Sequence, residues 1–553
     1  MSDLGAERPE SAAVEPGVEP NQPEPAADDA QPAHGEQHNA EPDHAEPDPE
    51  PRRRRAWLPS RRQVLTHGVA VAGALVVGGI GGAKFERLRQ AAVPPPVLPS
   101  RVLLDDASEL DATVVRGITF AGGSSAQTAQ RMIPLLQSIS RGSEPSMVVS
   151  GARHSMGGHS LLSGGWVMDA LPMKSVAVNA AAGTVRVGGG ATWNDVIQVV
   201  NAAGFAPKVM QSNYDFTVGG SLSVNCHGWH TNSPPIASTV QRLLLLTADR
   251  KITTCSPEVN SRLLGLALGG YGMFGIILEA DLAVVPNVML EPSFAVVSTE
   301  EYAAAFAERV YTPESRVEMA YGRLSVDPRS FLDEAIIGTY TPVEQTRGRV
   351  LPVKPEAHNN LRRSIFENSV GSDTGKGLRW LLEKRLNPRL AGAVSRNSIL
   401  SAPVNVLSNT DPDTTYILHE YFVPQARLWE FVQSARTIIR AGEANLLNVT
   451  VRDVRQDHRS TLAYARQDVF GLVMTFVQQK TAAAETQMRD LTRHLIDAAL
   501  GCGGTFYLPY RPHATLEQFR RAYPAWTTAM QAKAEYDPDG LFRNTFYDKY
   551  RAA

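Results

Sequence analysis

The sequence predicts an α+β protein with two folded parts behind a non-globular N-terminus. Three observations predict it. From about residue 105, short β-rich runs alternate with segments of helical periodicity. Three glycine-dense turns punctuate this first part, each next to a strand-like run. From 291 to about 500 a second mixture of strand and helix signals follows, with no internal repeat.

The 553 residues suffice for two or more cored domains; 43% are apolar and 20% charged, as in ordinary globular proteins. A net charge of −3 excludes a global nucleic-acid footprint. Residues 1–55 are rich in Glu, Asp, Pro and Ala until Arg52–Arg55 reverse the charge, and they predict a disordered acidic tail. In 56–99, Arg61 and Arg62 precede an apolar Gly/Ala-rich run to about Ala83, followed by Pro94, Pro95 and Pro96. This pattern is a twin-arginine-type export signal or a membrane anchor with a proline linker, and predicts an exported or membrane-attached protein. Gly78 to Gly82 imitate a dinucleotide turn, but Lys84 stands where its last glycine belongs and no strand–helix context surrounds it.

In chain order, 127–140 reads as a helix, 146–150, 165–169 and 184–188 as strands, and 193–203 as a helix. Apolar runs at 239–248 and 275–285 are again strands. In the second part, 415–423 and 472–477 are strands, and 425–441 and 482–500 helices. Residues 340–395 read as an irregular basic insertion, with Arg347, Arg379, Lys384 and Arg389 among its cations and Trp380 interleaved, suited to a lid, a membrane-facing patch or a solvated loop. The three cysteines, Cys226, Cys255 and Cys502, have neither metal-ligand spacing nor a disulfide framework and read as buried thiols.

The three turns are the chemical core of the sequence. Gly151-Ala152-Arg153-His154-Ser155-Met156-Gly157 is the first, Thr217-Val218-Gly219-Gly220-Ser221 through Ser223 and His227 the second, and Gly269 to Gly275 with Ile277 the third. Glycines without Cβ let backbone amides approach a large anionic ligand, and a flavin dinucleotide suits three such turns with a histidine in one of them. Gly272 and Gly275 are the ligand-facing members of the third. Cys226, His227 and His230 cluster, yet no second ligand pair lies at a zinc spacing, so no metal is predicted.

These turns resemble those of the vanillyl-alcohol oxidase/p-cresol methylhydroxylase (PCMH) flavoprotein superfamily, strongly over 105–290 and more loosely over 415–553. The resemblance implies a two-subdomain PCMH-type FAD-binding domain over 105–290. It implies an α+β substrate or cap domain with an antiparallel sheet over 291–500, and a C-terminal segment, 501–553, returning to the FAD domain. It implies FAD bonded covalently through His154, with Arg153 replacing the family's usual glycine; His159 lies outside the matching position. The second turn would hold the pyrophosphate and ring edge, the third the adenine side. Residues 504–510 resemble a strand folded back over the flavin in the ribose-oxidase and cytokinin-dehydrogenase branches, and Tyr536 to Phe542 resemble their closing segment. The His-Trp-x-Lys ending of aldonolactone oxidases is missing, and Tyr510 stands where the ribose oxidase has lysine.

Oxidation of a carbinol needs a hydride acceptor and a route for the hydroxyl proton. His227, His419, Tyr421, Tyr507 and Tyr510 are the candidates, with Arg511 able to tune a tyrosine or bind an anion. His419 and Tyr421 alternate along a strand and share a face, which by resemblance addresses the substrate. The expected function is FAD-dependent oxidation of a sugar, polyol or related hydroxyl compound, with oxygen, a quinone or a protein as electron acceptor. The alternatives are an amine or lipid-linked sugar dehydrogenase of the same fold, and a non-catalytic binding protein.

Overall fold

The computed structural model describes residues 101–552 except 354–365, 386–391, 405–408 and 410. The acidic tail, the export or anchor segment, and Arg389 of the basic insertion lie outside the described residues. Among the described residues no helix is long and apolar enough to cross a membrane.

A short hairpin, β1 (Val102–Leu104) and β2 (Thr113–Val115), leads into β3 (Gly117–Phe120), helix α1 (Ser125–Ser140), β4 (Met147–Ser150) and β5 (Trp166–Asp169). Strands β3, β5 and β4 form a parallel sheet in that order. A second, antiparallel sheet follows in the chain. It contains β6 (Val176–Asn179), β7 (Thr184–Gly188), β8 (Phe205–Pro207), β9 (Val240–Leu246), β10 (Ile252–Cys255) and β11 (Ile276–Pro286), in the order β10-β9-β11-β7-β6 with β8 beside β11. Helices α2 (Trp193–Ala202), α3 (Val218–Ser223) and α4 (Ser261–Ala267) belong to this layer. Thr192 starts α2 with a reciprocal capping box to Asp195, and Trp193, Val196, Ile197 and Val200 are its buried stripe.

The second part contains β12 (Met289–Ser298), α5 (Tyr302–Val310), β13 (Met319–Leu324), β14 (Glu334–Val343), α6 (Asp373–Arg385), β15 (Val394–Ser395), α7 (Arg396–Ile399) and β16 (Thr414–Pro424). It continues with α8 (Leu428–Ala441), β17 (Leu446–Val454), β18 (Val469–Gln479), α9 (Ala482–Gly501) and β19 (Thr505–Phe506). The strands form one antiparallel sheet of eight, ordered β15-β12-β14-β13-β17-β18-β16-β19. Long β-branched and aromatic runs such as Val469–Gln479 favour this state. Helix α8 buries Leu428, Phe431, Val432, Ala435 and Ile439, a helical stripe, and packs with α9 on one face of the sheet. The opposite face carries the side chains that meet the first part.

The last helices, α10 (Leu516–Ala522), α11 (Trp526–Tyr536) and α12 (Thr545–Tyr550), are fastened to the glycine-rich layer. The buried Lys533 donates to the carbonyls of Met273 (2.7 Å) and Phe542 (2.8 Å) and to Asp537, and Asn544 donates to the Tyr271 carbonyl (2.8 Å).

Two expectations need correction. Residues 340–395 are not irregular throughout, because β14 runs into them and Asp373–Arg385 is helical. Helix α6 turns Arg379 and Trp380 inward. Arg379 and Arg323 share Glu383 (3.0 and 2.8 Å), and Lys384 pairs with Glu334 (2.8 Å), so these cations hold the insertion against the sheet rather than face a membrane. Residues 504–510 are not one strand: only Thr505–Phe506 pairs, with Tyr421 and Phe422, before the chain turns around the sheet edge.

Candidate active site

Backbone crowding brings the glycine turns together. A Cβ on Gly151 would lie 2.1 Å from Thr217 Oγ1, and one on Gly219 would lie 2.6 Å from the Gly189 carbonyl, which accepts the Gly219 amide at 2.8 Å. Gly272 and Gly275 have φ of 76° and 134°, and Gly275 abuts the Leu246 carbonyl. A fourth turn, Gly188-Gly189-Gly190, sits among them: a Cβ on Gly190 would lie 1.7 Å from the Ala170 carbonyl. Sequence reasoning missed it, although three consecutive glycines directly after a strand were signal enough.

Within the first turn, Met156 donates its amide to Pro509 and Gly158 donates to the buried carboxylate of Asp106 (2.8 and 2.9 Å). Burial, followed by the charge of Asp111, lifts Asp106 to about 7. No hydrogen bond joins the amides of Gly151, Ala152 and Arg153 to a described residue. Amides left open between glycines are what a diphosphate requires, so the cradle fits the predicted dinucleotide. Half-buried His154 lies with its ring 4.4 Å from Phe216. Buried His159 instead stacks on Phe546 at 4.9 Å, and burial lowers its pKa to about 3. In the second turn Thr217 caps α3, accepting from the Gly220 amide at 3.3 Å. The Ser221 hydroxyl accepts from Trp193 Nε1 and donates to Gln211, and Ser223 donates to the Gly219 carbonyl, so both serines brace the turn. Ile277 is the second residue of β11, its carbonyl against Gly189.

Beyond that turn the chain delivers His227 to the open face of the cap sheet. His227 Nε2 lies 2.7 Å from Glu420 Oε1, with only 5% and 1% of the two side chains exposed. Phe422, Tyr464 and Tyr507 surround the imidazole at centroid distances of 5.3, 5.8 and 5.8 Å. Tyr510 donates to the other Glu420 oxygen (3.4 Å); burial and then that carboxylate raise its hydroxyl well above the ordinary tyrosine value. Tyr507 donates to the Val224 carbonyl (2.9 Å), a bracing bond.

His419 and Tyr421 do share a face, but it is the helix-covered one. The His419 ring contacts Tyr421 (3.3 Å) and Thr492 of α9 (3.2 Å), and Tyr421 packs on Phe431 of α8. Burial, then His513, lowers His419 to about 3 and keeps it neutral. Strand alternation therefore points Glu420 and Phe422 toward His227, and these are the residues sequence reasoning missed. Nor is Arg511 available to a ligand: it bridges Asp111 and Glu485 at 2.5 and 2.7 Å. The three cysteines are buried and unpaired, with burial pushing Cys226 up to about 12.

Comparison with known proteins bears on this geometry. Residues 128–256 match the FAD binding domain family. Cytokinin dehydrogenase 4 of Oryza sativa subsp. japonica is 24% identical over 428 residues, covering 72% of this chain and 80% of the relative. Cytokinin dehydrogenase 9 of the same plant is 26% identical over 432 residues, covering 70% and 77%. Cytokinin dehydrogenase 1 reaches 36%, but over 142 residues, 25% of this chain and 27% of the relative.

Proposed function

We propose, from the premise that this chain carries a PCMH-type FAD-binding domain and is distantly homologous to cytokinin dehydrogenases over most of its length, that it oxidises a CH–OH group of a sugar, polyol or related donor. FAD-dependent oxidoreduction is the established part of that reading; the donor is the proposed part. The observation that carries it is the buried His227–Glu420 pair, placed where the second glycine turn meets the open face of the cap sheet.

FAD, when bound, supplies the hydride acceptor. Gly151 to Gly157, Thr217 to Gly220, Gly272 and Gly275 would hold it, with the open amides of the first turn suited to its diphosphate. His227 and Glu420 would take up the hydroxyl proton: they lie 2.7 Å apart, and Glu420 Oε1 is a buried acceptor without a hydrogen-bond donor of its own. Tyr510 holds Glu420 in place, and the rings of Phe422, Tyr464 and Tyr507 keep water from the pair. His154, at the end of the open-amide turn, is the residue we assign to a covalent flavin link. The segment 56–99 is proposed to export or anchor the protein.

A second reading, oxidation of a CH–NH donor, is favoured by the relatives' designation as cytokinin dehydrogenases. Anaerobic addition of donors to the FAD-loaded chain separates the two. Bleaching of the flavin by polyols or sugars and not by secondary amines is expected. Bleaching by amines alone would move the assignment to the second reading, and a flavin that no donor bleaches would leave a binding protein.

A further inference from the structure

The open face of the cap sheet carries an arginine whose charge no described side chain balances. Arg452 lies in β17 opposite Gly471 of β18, in the row that continues to Phe422 of β16. Its Nη1 reaches the His227 carbonyl at 3.4 Å, and its Nε is buried without an acceptor. Other arginines of this region each face a carboxylate: Arg323 and Arg379 face Glu383, Arg396 faces Glu318, and Arg511 faces Asp111 and Glu485. Among the described residues no carboxylate lies within ion-pair distance of Arg452. Arg452 is half-buried, and a buried guanidinium Nε left without an acceptor is costly, so a ligand carboxylate would supply the missing partner.

The surroundings repeat the demand. Trp229 stacks on Tyr321 at 4.5 Å, and its Nε1 is a second buried donor without an acceptor. His230, 3% exposed, has neither ring nitrogen partnered. Burial, then the charges of Arg396 and Arg452, hold its pKa well below the ordinary value, so it is neutral and supplies no negative charge. Gly471 lets Phe422 and Glu420 pack closely over the strand between them and Arg452: a Cβ there would lie 2.9 Å from Phe422 and 3.1 Å from Glu420. The row thus runs from a proton-accepting pair at one end to an unsatisfied planar cation at the other.

We propose that the donor is a hydroxy acid, such as a sugar acid, whose carboxylate is bound by Arg452 while its CH–OH group is oxidised at His227 and Glu420. The binding part stands on Arg452 and its neighbours; the oxidation part rests on the function proposed above. In the reaction the carbinol hydrogen would leave with its electron pair as a hydride, FAD when bound being the two-electron oxidant, the hydroxyl proton would pass to the His227–Glu420 pair, and the carbon would become a carbonyl. The carboxylate is unchanged. A guanidinium matches a carboxylate in two parallel bonds, which an ammonium cannot reproduce.

The test uses the FAD-loaded full chain and matched probes: glycolate, lactate and D-gluconate against ethylene glycol, 1,2-propanediol and D-glucitol. Dissociation constants come from the flavin spectrum, and anaerobic bleaching is followed in the same samples. At least one acid should bind roughly tenfold or more tighter than its neutral partner. That advantage, measured as the ratio of acid to neutral-probe binding at determined flavin content, should disappear in Arg452→Met and return in part in Arg452→Lys. In the wild-type chain, independently of any variant, oxalate should displace the bound acid. Acids that bind no better than their neutral partners, an acid advantage that survives Arg452→Met, or oxalate that fails to compete would each overturn the proposal. Bleaching by neutral polyols without an acid advantage removes Arg452's role and leaves the oxidoreductase reading standing. Acids that bind through Arg452 but never bleach the flavin support the anion site and remove the oxidation assigned to it.

Discussion

Arg153 has φ of 57°, a backbone conformation that a side chain disfavours and glycine accepts freely. That conformation accounts for the glycine that the resemblance implies before the histidine; here the arginine adopts it. Single residues with chemistry in a glycine context, His154 and His227, were therefore legible in the sequence. Glu420 was not. Strand β16 is buried on both faces, so no polar–apolar alternation told which of His419 and Glu420 faced the flavin layer. At this scale the assignment of His154 has its own check. Denatured protein run on a gel should retain flavin fluorescence, and His154→Ala should lose it while the native variant stays yellow. Fluorescence that persists in the variant, or is absent from the wild type, would remove the link.

Elements were read with uneven success for a common reason. Helices with a clear apolar stripe, such as α8 and α9, announced themselves, whereas α6 has Gly375 and Gly377 in its first turns and few apolar residues to mark a period. Its place on the sheet is set by ion pairs, which local periodicity does not show. A comparable clip joins α9 to the first part of the chain: Glu485 bonds to Arg511 and His513, and Arg511 continues to Asp111. Burial raises the Glu485 carboxyl, but hydrogen bonds from His513 and Arg511 outweigh it and hold its pKa below the ordinary value. The clip's contribution is therefore complete above the unfolded carboxyl pKa of about 4.3 and is lost as pH falls below it. Glu485→Gln should cost roughly 1 kcal/mol at pH 7 and flatten the decline in thermal stability between about pH 5 and pH 3. Melting curves across that range check it; an unchanged slope would show that the clip does not govern acid sensitivity.

At the scale of the whole molecule, a chain of ordinary composition divides its labour between a glycine-turn layer that can hold a dinucleotide and an eight-stranded cap sheet that brings chemistry to it. The division was legible because glycine clusters are strong punctuation and the resemblance covers both ends. The pairing of the two parts was not, since His227 and Glu420 are 193 positions apart (420 − 227) and meet only through tertiary packing. The most direct measurement is the anaerobic rate at which a donor identified by bleaching reduces the flavin in wild type and in Glu420→Gln, each with its FAD content determined first. A flavin-replete Glu420→Gln chain that is reduced about 10²–10⁴-fold more slowly is the predicted result. Equal rates at equal FAD content would contradict the assignment of proton uptake to the His227–Glu420 pair.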